Sequence, residues 1–116
     1  MNTESQPTDF PVELVVDVEH RQPVSKQTRE AMYALAVKEL RKLAKGHTDI
    51  VGANISIQAP HENESIPTYE ATVTVAFSPK NVAATEKAKD PMVALRAALH
   101  AVEREVRSTR EKRRGY

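Results

Sequence analysis

The chain has 116 residues, 40% of them hydrophobic and 28% charged, with a formal net charge of +1 and no cysteine. That length suits one domain that buries roughly two-thirds of its unfolded surface. The missing cysteine excludes disulfides, thiolate metal sites and a cysteine nucleophile, and no apolar run approaches the roughly 18 residues of a membrane span.

Residues 1–10 are polar, lack the basic-then-apolar order of a signal peptide and are expected to form a flexible tail. Val12, Leu14, Val16 and Val18 then alternate with Glu13, Asp17 and Glu19, a period of two, broken only by Val15 toward the other face, that predicts a strand. Pro23 closes this element, and Ser25 is a suitable N-cap for the next. From Lys26 to Lys45 the residues favour helix, with Met32, Leu35, Ala36, Leu40 and Leu43 recurring at steps of three and four. Gly46 is a stop signal.

Val51, Ala53, Ile55 and Ile57 alternate with small polar residues and predict a second strand. After a polar loop, Pro60 to Thr68, a third is predicted on Tyr69, Ala71, Val73, Val75 and Phe77. A tight turn at Ser78-Pro79-Lys80-Asn81 leads to a short fourth strand, about Val82 to Thr85. Asp90-Pro91 is a strong helix start, and Met92, Leu95, Leu99, Val102 and Val106 form the buried stripe of a second helix. The order β-α-β-β-β-α wants the first two strands parallel and the later ones antiparallel. The expected fold is an α+β two-layer sandwich: a four-stranded mixed sheet with two helices on one face. Residues 11–108 make the domain, and residues 109–116 a basic C-terminal extension.

Charge is segregated along this order. Residues 1–25, 26–45, 46–79 and 80–116 carry −4, +4, −4 and +5, so a near-neutral chain holds two cationic blocks. Local potential steers a polyanion to a surface, whatever the net charge. On the first helix Lys38, Arg41, Lys42 and Lys45 lie opposite the apolar stripe. On the second, Arg96, His100, Arg104 and Arg107 line one flank over about 16 Å. Lys87 and Lys89 precede that helix, and Arg110, Lys112, Arg113 and Arg114 end it. Such ridges suit phosphate contacts, which position a protein without reading sequence. Solvated helix surfaces are also routinely basic, and Glu103 sits one turn before Arg107 as an ordinary intrahelical pair.

Catalysis has little support. His20, His47, His61 and His100 show no ligand spacing, and Gly46, Gly52 and Gly115 make no phosphate loop. No catalytic residue, metal, cofactor or small-molecule substrate is expected. The aromatics Phe10, Tyr33, Tyr69, Phe77 and Tyr116 supply no paired platform for base stacking, so recognition through backbone and shape is the better match.

The segment from Val82 to Arg107 resembles the bacterial ribosome hibernation-promoting factor and ribosome-associated inhibitor family. Asp90, Ala94, Leu95, Val102 and Arg104 fall on that family's pattern, and Arg110 and Lys112 match its basic extension. The chain departs from it at Pro91-Met92, at Arg96 and at Ala101. The resemblance covers about residues 12–114 and implies a cytoplasmic, non-catalytic stress-response protein. Such a protein would bind the small ribosomal subunit and its rRNA in the tRNA and mRNA channel, and inhibit translation. It also implies the short form of the family, without a second dimerising domain, and a monomer. Two alternatives remain open on the residues alone. One is a homodimer pairing through the polar sheet face of Asn54, Ser56, Thr72 and Thr74, and the other is a general double-stranded RNA binder.

Overall fold

The computed structural model describes residues 12–16, 24–46, 50–60, 65–77 and 81–115, with residues 12–16, 77 and 110–115 described by their backbone alone. The elements are β1 (Val12–Val16), α1 (Lys26–Gly46), β2 (Ile50–Gln58), β3 (Tyr69–Phe77), β4 (Val82–Ala88) and α2 (Pro91–Gly115). The expected α+β class with two helices is the one the chain adopts. The expected tail at residues 1–10, Pro23 and the turn at residues 78–80 lie outside the described residues.

β2, β3 and β4 form an antiparallel run, and β1 pairs parallel with β2 at the other side, giving the order β1-β2-β3-β4. In β2, Ile55 and Ile57 are buried while Asn54, Ser56 and Gln58 are exposed, the alternation that a half-buried strand requires. The register places Ile55, Val73 and Ala84 in one row and Ser56, Thr72 and Thr85 in the next. The first row faces the helices. The second faces away, and its Thr72 and Thr85 hydroxyls share a hydrogen bond of 2.9 Å. β4 continues to Ala88, three residues beyond the strand read from the sequence.

One hydrophobic cluster joins both layers. Met32, Ala36, Leu40 and Leu43 of α1 meet Ala94, Leu95, Ala98, Leu99, Val102 and Val106 of α2 over Ile55, Ile57, Ala71, Val73 and Val75. α1 lies against β1, whereas α2 covers β3 and β4. No polar or charged side chain is buried among the described residues, so the core carries no desolvated charge.

Both helix starts follow from their caps. Ser25 Oγ accepts from the Thr28 amide at 3.1 Å, and the Ser25 carbonyl accepts from the Arg29 amide at 2.9 Å. Asp90 Oδ1 accepts from the Met92 and Val93 amides at 2.7 and 3.3 Å, satisfying donors that the helix itself leaves orphaned. α2 then runs unbroken to Gly115. The basic extension expected from residue 109 is thus the last turns of this helix.

Candidate nucleic-acid interface

The core stripes fix where the cations point. With Leu40 and Leu43 turned into the cluster, Lys38, Arg41, Lys42 and Lys45 of α1 are all exposed. With Leu95, Leu99, Val102 and Val106 buried, Arg96, His100, Arg104 and Arg107 of α2 are exposed as well. Since α1 and α2 pack into one core against the same sheet, both ridges belong to the outer side of one layer. Of the eight, Lys42 and Arg107 line one cleft shared by the two helices and His100 another, while Lys38, Arg41 and Lys45 line a groove made by α1 alone.

They do not form an uninterrupted positive surface. Glu39, Lys42, Glu103 and Arg107 line a cleft of about 400 Å³ between the helices, and His100 opens on a narrower one with Glu39 and Glu103. Arg107 Nη2 donates to Glu103 Oε2 at 2.7 Å, and Lys42 Nζ lies 3.6 Å from Glu39 Oε1. Both pairs are intrahelical and partly exposed, which makes each worth only a few tenths of a kcal/mol, about 0.3–0.5. A phosphate therefore faces little cost in displacing the carboxylates. Lys38, Lys45, Arg96 and Arg104 make no ion pair among the described residues.

The remaining sequence candidates fall elsewhere. Lys87 stands opposite Glu70 on β3, in the strand parity of Thr85 and Ala83, so it lies on the open sheet face away from both helices. Lys89 is exposed in the bend between β4 and α2. Arg110, Lys112, Arg113 and Arg114 lie on the helical backbone of α2, but their side chains are outside the described residues.

One residue of the site escaped the sequence reading. Tyr33 is 46% exposed, although its bearing on α1 is close to that of buried Leu40. α1 lies toward the β1 side of the sheet and leaves this flank open. Tyr33, Ala34 and Val37 line a groove of about 480 Å³ together with the four α1 cations. Among the described residues no group of His, Asp and Glu could hold a metal ion, and no helix is long and apolar enough to cross a membrane.

No curated protein matches the sequence. In fold, the chain is similar to a ribosomal subunit interface protein from Coxiella burnetii, with 12% identity, a TM-score of 0.63 and coverage of 87% of this chain and 98% of that one. It is similar also to the N-terminal domain of Protein Y from Thermus thermophilus, with 15% identity, a TM-score of 0.61 and coverage of 84% and 94%. The family model described as "Sigma 54 modulation protein / S30EA ribosomal protein" matches residues 12–114, which takes in both cationic helices and all four strands. By that match the chain belongs to the sigma 54 modulation protein / S30EA ribosomal protein family.

Proposed function

We propose that this chain is a non-catalytic, cytoplasmic protein that binds the rRNA of the small ribosomal subunit and inhibits translation by occupying an RNA-lined channel. The observation that carries this reading is the outer side of the helix layer, where Lys38, Lys45, Arg96 and Arg104 are exposed without ion-pair partners among the described residues. Membership of a family described as ribosomal, and fold likeness to a ribosomal subunit interface protein, choose the polyanion. Arginine can present two donors to one phosphate, whereas lysine acts as a compact point charge. Arg96 and Arg104 would then set orientation, while Lys38 and Lys45 add attraction. Arg107 and Lys42 join when a phosphate replaces their carboxylates, and the basic end of α2 extends the contact.

Sedimentation of the protein with purified small subunits through a sucrose gradient tests this directly. It should travel with them at low salt and be released at high salt, because each phosphate neutralised releases counterions. A protein that stays at the top of the gradient at every salt concentration contradicts the reading. An excess of A-form RNA duplex that strips it from subunits would instead favour general double-stranded RNA binding.

A further inference from the structure

We propose that the groove on the outer flank of α1 receives an unpaired RNA base, stacked on the ring of Tyr33, with the phosphates of the strand that continues from it along the helix held by Lys38 and Lys45. The proposal rests on the reading of the helix layer as an RNA surface, and adds to it a base contact that phosphate binding alone does not require.

Three observations point to this occupant. First, Tyr33 is the aromatic side chain that lines the groove with the α1 cations, it is nearly half exposed, and its hydroxyl has no hydrogen-bond partner among the described residues. An aromatic ring partly open to water beside Val37 offers apolar area to a flat partner. Second, the groove measures about 480 Å³, within the roughly 300–1,000 Å³ of small-molecule sites and so large enough for one base. Third, its described lining contains four cations and no carboxylate, so the occupant is anionic as well as flat. Lys38 and Lys45 lie five and twelve residues beyond Tyr33, about 8 and 18 Å along the helix, and so follow the ring on one side rather than converge on one atom.

A nucleotide in a single strand meets all three demands, because its base is an apolar plane and its phosphates are charged on both sides. An acidic amphipathic peptide meets the charge but not the shape. The apolar part of the lining, Tyr33, Ala34 and Val37, spans about one helical turn, too short for anchors spaced at i, i+3, i+4 and i+7. A paired duplex meets the charge but keeps its base faces covered.

The test compares a short single-stranded RNA with the same strand carrying abasic sugars, which keep every phosphate and remove the bases. Binding is read by fluorescence anisotropy for wild type, Tyr33→Phe and Tyr33→Ala, and thermal melting checks that each variant is folded. Wild type and Tyr33→Phe should prefer the base-bearing strand by about 5- to 150-fold, the equivalent of about 1–3 kcal/mol of stacking. Tyr33→Ala should bind both strands alike, at the affinity wild type shows for the abasic one. Equal binding of the two strands by wild type overturns the proposal, as does a preference that survives Tyr33→Ala. Displacement of the strand from wild type by polyglutamate, with no base preference, assigns the groove to an acidic peptide and overturns it too. The ribosomal reading fails separately, if wild type does not sediment with small subunits whatever the short strands show.

Discussion

Replacing both carboxylates between the helices should tighten binding to small subunits, and the size of the gain can be worked from the structure. Glu103 holds Arg107 at 2.7 Å and Glu39 stands 3.6 Å from Lys42, so each competes with RNA for one cation. A phosphate taken up by either cation would sit about 6 Å from the carboxylate, a repulsion of about 0.7 kcal/mol in bulk water. Screening at physiological salt leaves about half of it. Opening the existing pair adds about 0.3–0.5 kcal/mol. Each site then opposes RNA by about 0.7 kcal/mol, close to a threefold change in affinity. The double variant Glu39→Gln and Glu103→Gln should therefore bind about tenfold more tightly, the two sites being treated as independent. Its stability should fall by no more than about 1 kcal/mol, since both pairs are exposed. The assay is titration of labelled protein with purified small subunits at fixed salt, alongside thermal melting. Unchanged or weaker binding by a folded double variant would place the contact surface somewhere other than the helix layer.

Other perturbations separate the site from the scaffold. Arg104→Glu should weaken subunit binding by about tenfold or more, whereas Lys87→Glu on the opposite sheet face should change it less than twofold; equal effects in titration would reject the assignment of the face. Asp90→Ala removes the acceptor for the Met92 and Val93 amides and should cost about 1 kcal/mol, read as a fall in Tm of about 4–8 °C. Leu95→Ala in the cluster should cost about 2–5 kcal/mol by denaturant unfolding, because the fully buried side chain leaves a cavity.

The physical devices that decide local structure here act over a few residues, and these were legible. Alternation at Ile55 and Ile57, and at Ala71, Val73 and Val75, named the inward strand faces. Ser25 and Asp90 named the helix starts, because a side-chain oxygen next to free amides is a local chemical fact. β4 runs on to Ala88, past the expected end at Thr85: Glu86 and Lys87 look unlike a strand in sequence yet sit in one here. At a sheet edge, charged residues are tolerated and guard against unwanted pairing. Parity counted from buried Val82 would have set Lys87 on the open face, a signal that a count of positive charges ignores. The exposure of Tyr33 was not legible. Its bearing belongs with the core, and only the placement of α1 toward one side of the sheet leaves it uncovered. The clustering of Glu39 and Glu103 likewise depends on how two helices lie together, which a wheel drawn for each alone does not give.

The most direct measurement is the salt dependence of small-subunit binding for wild type against a variant with Lys38, Lys45, Arg96 and Arg104 all changed to glutamine. Four phosphate contacts imply that the slope of log affinity against log salt contains about −3 to −4 from these residues. The variant should lose that part of the slope while keeping the wild-type melting transition. A folded variant with the wild-type slope would show that other cations meet the RNA and would contradict the account.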